Sequence, residues 1–363
     1  MSARYRCGLV VGKFCPLHRG HELVIAQALA CCDEVLVISY TKPGFPGYGC
    51  AQREAWLQSR FPGTLRLVID DARLATLCRD MGIAGFPSLP ADDAPDIRHR
   101  EFVARLCMDV LHKRADAVFT SEDYGDGFAA VLTEEFRQVV RHVCVDKARL
   151  GHPISGTQIR ADPHRHRHHM DASVYASFVR RICILGGECS GKTTLAQDLA
   201  AALDTVWVAE YGRELWERKD GRLTYDDMLA IGLAQVEREE ALLPQAHRSL
   251  VCDTSPLTTM FYSQAMFGRV EPALARLAGR SYDLVLLCAP EFDFVQDGTR
   301  RDSDFRARQH QWYLEQFTSR GTDFFELFGV PAQRLKTAVA HIEHLGMSRR
   351  TGLEPRNEPP PFP

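Results

Sequence analysis

Arg181-Ile-Cys-Ile-Leu-Gly-Gly-Glu-Cys-Ser-Gly-Lys-Thr-Thr194 lies at the middle of the chain, and its reading decides the rest. Residues 186–193 fit the phosphate-loop pattern G-x-x-x-x-G-K-[ST] without a mismatch. The apolar run 182–185 predicts a buried strand, and residues 195–203 predict the helix that follows it. This order lets loop N–H groups and the positive end of a helix dipole converge on one anionic point. Gly186, Gly187, Glu188, Ser190, Gly191, Thr193 and Thr194 are therefore candidate nucleotide-binding residues. Lys192 is placed to reach the β/γ-phosphates and Thr193 to ligate Mg²⁺. A chance glycine-rich turn is the plain alternative, but it does not explain the flanking strand and helix.

About half of the chain precedes this loop. With 363 residues, two domains of ordinary size are expected. A hydrophobic content of 45% and a charged content of 25% supply apolar material for two cores. The net charge of −3 offers no electrostatic case for nucleic-acid binding. The twelve cysteines include no C-x-x-C pair, and Cys183 and Cys252 fall in predicted buried strands, where thiols act as small hydrophobes. A reduced, cytoplasmic setting is the expectation. The first residues lack the apolar core of a signal peptide, and no run approaches the length of a membrane span. No room for a DNA-binding domain is expected before the first strand.

That strand is predicted at residues 7–11, followed by Gly12-Lys-Phe-Cys-Pro-Leu-His-Arg-Gly-His21, a helix through residue 30 and a second strand at 34–40. The segment G-x-F-x-P-x-H-x-G-H resembles the signature of the nucleotidyltransferase superfamily. In those enzymes a nucleophile attacks the α-phosphate of a nucleoside triphosphate and expels pyrophosphate. Such chemistry needs positioning and charge neutralisation rather than a covalent enzyme intermediate. His18 and His21 can donate to phosphate oxygens and Lys13 can act as a point charge, in register with Gly12 and Phe14. Further on, Ile154-Ser-Gly-Thr-Gln-Ile-Arg160 resembles the I-S-x-T-x-x-R motif of the same superfamily. Ser155 and Thr157 are good helix caps, and that helix start would bind the β/γ-phosphates with Arg160 as the cationic partner. Simple capping is the plain alternative for either residue taken alone.

Between these motifs a helix is predicted over 98–113 and a strand over 117–120. In the turn Thr120-Ser-Glu-Asp-Tyr-Gly-Asp-Gly127, either Ser121 or Glu122 touches the nucleotide, or the turn is a polar loop. Residues 40–48 read as a mobile loop, with Arg53 and Trp56 after it as candidate substrate-binding groups. Pro163-His-Arg-His-Arg-His-His169 fits no zinc spacing and reads as a solvated linker. Beyond the phosphate loop, a strand at 205–209 leads to Glu210-Tyr-Gly-Arg-Glu214. Glu210 is a candidate base or an ordinary acidic helix start, and Tyr211 and Arg213 are candidate substrate-binding residues. A long amphipathic helix is predicted over 224–243. Asp253 closes a buried strand at 249–253, the position of a Mg²⁺-holding aspartate, and competes with Glu210 as base. After a strand at 283–288, the loop 290–302 carries Arg300 and Arg301, which suit a lid over a triphosphate. Helices near 304–320 and 331–345 flank the apolar run 324–328. The Pro-rich tail 349–363 is expected to be disordered.

The strings Thr-Ser-Glu-Asp-Tyr-Gly-Asp-Gly, Ile-Ser-Gly-Thr-Gln-Ile-Arg, Glu-Tyr-Gly-Arg-Glu and Val-Gln-Asp-Gly-Thr-Arg, in this order, resemble the NadR family. These are bifunctional nicotinamide-nucleotide adenylyltransferases and ribosylnicotinamide kinases. The resemblance spans roughly residues 5–345 and is weakest at 41–56 and 70–97. It implies an α/β protein in which a Rossmann-like nucleotidyltransferase parallel sheet precedes a P-loop NTPase-type kinase parallel sheet. The implied domains are 1–165 and 181–346, joined by a linker at 166–180 and followed by a tail at 347–363. It also implies a salvage route using ATP with Mg²⁺: nicotinamide riboside is phosphorylated to the mononucleotide (NMN), which is then adenylylated to NAD. The same motifs would serve nicotinate forms, another cofactor precursor or a nucleotide-sensing regulator. Neither a nucleic-acid partner nor a membrane segment is expected, and assembly as a homo-oligomer is left open. Some NadR proteins carry a DNA-binding segment in front and repress transcription, a role not expected here.

Overall fold

Short apolar runs, each ending at a glycine or a polar turn, form strands buried on both faces, as parallel sheets covered by helices require. Leu284–Cys288 and Ser249–Asp253 are buried along their whole length. The computed structural model describes residues 4–121, 124–146, 151, 153–292 and 302–348. The chain divides into two compact units, with the break between Tyr175 and Ala176.

In the first unit the elements follow as β1 (Tyr5–Gly12), α1 (Arg19–Cys31), β2 (Cys32–Ser39), α2 (Cys50–Arg60), β3 (Leu65–Val68), α3 (Asp71–Asp80), α4 (Asp96–Arg105), β4 (Ala117–Thr120), α5 (Gly125–Phe136), β5 (Arg141–Cys144), α6 (Gly156–Ala161) and α7 (Ala172–Tyr175). The strands form one parallel sheet in the order β3-β2-β1-β4-β5. The order reverses between β1 and β4, so the carboxyl ends of those two strands open the crevice where such sheets hold ligands. Leu9, Leu36, Ile38, Val118, Phe102 and Leu132 lie in its main core. The helix expected over 98–113 ends its α-helical part at Arg105 and continues as a π-helical turn, Leu106–Val110.

The second unit runs β6 (Arg180–Gly186), α8 (Lys192–Ala202), β7 (Trp207–Val208), α9 (Tyr211–Arg218), α10 (Tyr225–Leu242), β8 (Ser249–Asp253), α11 (Pro256–Phe267), α12 (Pro272–Leu277), β9 (Leu284–Cys288), α13 (Ser303–Arg320), β10 (Phe325–Leu327) and α14 (Pro331–Ser348). Its sheet is also parallel, in the order β10-β9-β6-β8-β7. The strand feeding the phosphate loop is therefore central, between β9 and β8. Thr224 starts α10 through a capping box: its N–H donates to Asp227 Oδ2 at 2.7 Å.

The chain after the histidine-rich stretch 163–169 is packed. Met170, Val174 and Tyr175 are buried, and Asp171 lies 3.2 Å from Arg60 and 3.5 Å from Arg19. Packing of these apolar residues ties 170–175 to the first unit. Among the described residues no group of three or more His, Cys, Asp or Glu is arranged to hold a metal, and no helix is long and apolar enough to cross a membrane.

The amino ends of β6 and β9 are tied by charge. The Arg181 N–H donates to Asp283 at 2.8 Å, and its guanidinium binds Glu240 at 2.9 Å. Fully buried Glu239 accepts from the Tyr282 hydroxyl at 2.9 Å and lies 3.0 Å from Arg280 Nε. Burial pushes the Glu239 carboxyl up to about 7, against the pull of Arg280 and the Tyr282 bond. A carboxyl that holds its proton more tightly when folded adds stability at low pH. That contribution is fully present below the unfolded value and fades as pH rises towards about 7. Glu239→Gln should therefore gain on the parent chain in melting experiments as pH rises from 5 to 8, by up to about 3 kcal/mol. A pH-independent difference would contradict this.

Candidate functional sites

In the first unit the turn after β1 carries the expected phosphate ligands at the start of α1. His18 is the N-cap residue of α1, and its ring stacks on His21 with centroids 3.7 Å apart. Phe14, almost fully buried, meets His21 edge-on at 5.0 Å and backs the pair with apolar surface. The second motif closes on the first. Arg160 donates from Nη1 to Cys15 O at 2.6 Å and from Nη2 to Thr157 Oγ1 at 2.9 Å, while lying 4.1 Å over the Phe45 ring. A Cβ at Gly156 would stand 3.0 Å from Cys15 O, a tight approach that favours glycine there. Ser155 caps α6: its hydroxyl accepts from Gln158 N at 3.3 Å and its N–H donates to Gln158 Oε1 at 2.9 Å. Gly12, Phe14, Lys13, His18, His21, Thr157 and Arg160 thus belong to one loop–helix cluster.

Lys13 has a partner that the sequence did not reveal. Its Nζ lies 2.9 Å from Asp92 Oδ2, and the same carboxylate accepts from Thr41 Oγ1 and Lys42 N at 3.0 Å each. Burial pushes the Asp92 carboxyl up, but these bonds outweigh it and bring its pKa below the ordinary value. The loop expected to be mobile is therefore tied down: Asp92 N also donates to Lys42 O at 2.6 Å, and Tyr48 is buried.

Arg53 and Trp56, the candidate substrate-binding groups, lie inside the first unit. Each is 2% exposed. Arg53 donates to Ser39 Oγ at 2.7 Å and reaches the carbonyls of Lys13 and Ile69 at 3.5 Å. Trp56 meets Tyr48 at 6.0 Å between ring centroids. Both are turned inward because α2 packs its apolar stripe on the sheet, so they support the loop from behind. Ser121 follows β4, whereas Glu122 lies outside the described residues.

In the second unit the phosphate loop joins β6 to α8. Gly186 has φ +152°, and a Cβ there would stand 2.6 Å from Ser190 Oγ and 2.8 Å from Cys288 O, which excludes any other residue. Lys192 folds back over the loop and donates to Gly187 O at 2.9 Å. Thr193 Oγ1 donates to Asp253 Oδ2 at 2.6 Å. Asp253 is 1% exposed, and its Oδ1 has no hydrogen-bond partner among the described residues. A hydroxyl beside a buried carboxylate with a spare oxygen is a hard-oxygen donor set that fits Mg²⁺.

Glu188 accepts from the Tyr262 hydroxyl at 2.9 Å, and its N–H donates to Gln309 at 3.1 Å. Glu210 follows β7, 4.0 Å from Arg213. Burial and then the charge of Asp253 push the Glu210 carboxyl up, and burial does the same to Asp253 against Lys192 and Thr193. Tyr211 is engaged within the unit: its N–H donates to Gln235 at 2.9 Å and its ring faces Arg238 at 4.5 Å. Ser190 is buried and Thr194 is exposed. Arg300 and Arg301 lie outside the described residues.

A model described as an AAA domain matches residues 181–334. The "Trifunctional NAD biosynthesis/regulator protein NadR" of Escherichia coli (strain K12) is 29% identical over 308 residues, covering 81% of this chain and 71% of the relative. The chain is a homologue of the NadR proteins. The NadR of Salmonella typhimurium is likewise 29% identical, over 305 residues, with the same coverage. A crystal structure of NadR in complex with NR shares the fold, with a TM-score of 0.67 at 21% identity over 95% of this chain and 97% of that one. A second, in complex with NAD and AMP-PNP, gives 0.65 at 20% identity over 95% and 98%.

If Arg53 supports the loop rather than touching substrate, Arg53→Ala should destabilise the first unit by about 2–4 kcal/mol in denaturant unfolding. An unchanged midpoint would return Arg53 to the substrate surface.

Proposed function

We propose that the chain carries out two ATP-dependent transfers in NAD salvage. The second unit, a P-loop kinase domain over 181–346, phosphorylates nicotinamide riboside to NMN. The first, a Rossmann-like nucleotidyltransferase domain over 1–165, transfers adenylyl from ATP to NMN. The observation that carries the reading is the pairing of two phosphate sites, each at the carboxyl end of its own parallel sheet, in a NadR homologue matched over 81% of its length. The NadR crystal structures with NR and with NAD and AMP-PNP support it. The thiols of Cys183 and Cys252, buried in β6 and β8, suit a reduced, cytoplasmic setting.

In the kinase step the riboside 5′-oxygen attacks the γ-phosphorus and ADP leaves. Mg²⁺, held by Thr193 and Asp253, supplies charge neutralisation on the phosphates when bound. We assign Asp253, bonded to Thr193 at 2.6 Å, to the metal and Glu210 to the hydroxyl proton as base. Burial and the charge of Asp253 raise the Glu210 pKa, which favours proton uptake. Lys192 leaves the Gly187 carbonyl for the phosphates. In the adenylyl step a phosphate oxygen of NMN attacks the α-phosphorus, and the bond to the β-phosphate breaks to release pyrophosphate. His18 and His21 donate to the α-phosphate, while Ser155, Thr157 and Arg160 hold the leaving group. Lys13 reaches phosphate on leaving Asp92.

The test is product analysis by chromatography with riboside, ATP and Mg²⁺, in which NMN and then NAD should accumulate. His21→Ala should lower adenylyl transfer by about 100-fold and spare the kinase, and Lys192→Ala should do the reverse. Loss of both activities in either folded variant would sink the two-site reading. Turnover of NMN against nicotinate mononucleotide then sets the base preference. Glu210→Gln should lower kcat of the kinase by about 100-fold with little change in KM for ATP.

A further inference from the structure

The second unit buries a cation that the transfer chemistry leaves unused. Arg334, on the first turn of α14, is 2% exposed. Its nearest carboxylate among the described residues is Glu291, half-exposed and 3.4 Å away. The remaining donors go to main-chain carbonyls on three separate segments. Nη1 donates to Ser190 O, Nη2 to Ala289 O and Nε to Gly329 O, each at 2.8 Å. The guanidinium also lies 4.4 Å over the Phe292 ring. An apolar side chain of this length would fill the volume but leave those three carbonyls without a donor, so the bonds of the guanidinium, not its bulk, decide its place. The arrangement therefore asks for a task beyond packing.

The Ser190 carbonyl points to that task. A trans peptide is planar, so its C=O and the following N–H point in opposite directions. Turning Ser190 O towards Arg334 directs the Gly191 N–H the other way, and Gly191 enters α8 with φ +78°. The Ala289 bond anchors the same guanidinium to the end of β9, next to the strand that feeds the loop. We propose that Arg334 is a positioning residue for ATP: it fixes the Ser190–Gly191 peptide so that its N–H side faces the triphosphate. This rests on the reading of the second unit as the ATP-dependent kinase.

The test compares Arg334→Lys and Arg334→Met in the full chain. A lysine reaches one carbonyl where arginine reaches three, and methionine reaches none. KM for ATP in riboside phosphorylation should rise on the order of tenfold in the lysine variant and further in the methionine variant. KM for the riboside and the adenylyl-transfer rate should stay at parent values. Folded variants with the parent KM for ATP would overturn the proposal. So would an equal rise in the riboside KM, or failure of both variants to fold, since Arg334 would then be a general strut. If the parent chain does not phosphorylate the riboside, the kinase reading fails on its own. Arg334 is then judged by titrating Mg²⁺–ADP into the full chain, with Lys192→Ala supplying the background from other sites. Weaker binding in the lysine variant supports the role, and unchanged binding overturns it.

Discussion

A loop that offers its N–H groups to an anion must turn its carbonyls the other way, into protein. Those carbonyls need donors, because a buried main-chain oxygen without a partner costs about as much as a lost hydrogen bond. Both units meet this constraint with arginine. Arg160 takes Cys15 O, Arg53 reaches Lys13 O, and Arg334 takes Ser190 O. A planar guanidinium has five N–H donors in a fixed fork, so one side chain can serve several carbonyls. Lysine would serve fewer and hold them less rigidly.

The two lysines proposed to meet phosphate are held differently. Lys13 is parked on Asp92, and Lys192 on the carbonyl of Gly187 within its own loop. Each contact is a single bond that a more highly charged phosphate can replace, with no rearrangement of the backbone. Asp92 gains a second task from its other bonds, since it holds Thr41 and Lys42 whether or not Lys13 stays. The carboxylates of the second unit show the opposite balance. Burial holds both carboxyls back from ionising, and crowding by the charge of Asp253 adds to it at Glu210. A divalent cation at Thr193 and Asp253 would relieve that crowding and leave Glu210 to accept a proton.

The two ends of the second sheet divide the labour. At the carboxyl ends stand Gly186 and Asp253, closing β6 and β8. At the amino ends, Arg181, Glu239, Arg280 and Tyr282 form a buried charged network. Loops at the carboxyl ends can vary in chemistry only because the opposite end is fastened by packing and charge.

What the sequence determined by itself was local backbone geometry. The glycines of residues 186–191, the Ser155 cap and the apolar runs of β6, β8 and β9 each record a dihedral angle, a capped N–H or a buried face. Such signals lie within a few residues of one another, so the phosphate loop, the H-x-G-H turn, the α6 cap and both parallel sheets were legible. The side-chain partners were decided by tertiary structure. Arg53 and Trp56 looked like surface groups near a loop, yet packing of α2 turns them inward. Asp92 sits in a stretch with no motif, and Gln309 and Arg334 meet the phosphate loop from helices more than a hundred residues downstream. A periodic pattern tells which face of a helix is buried, but not which carbonyl across the sheet that face will meet. That choice depends on strand order and register, which exist only once the chain has folded.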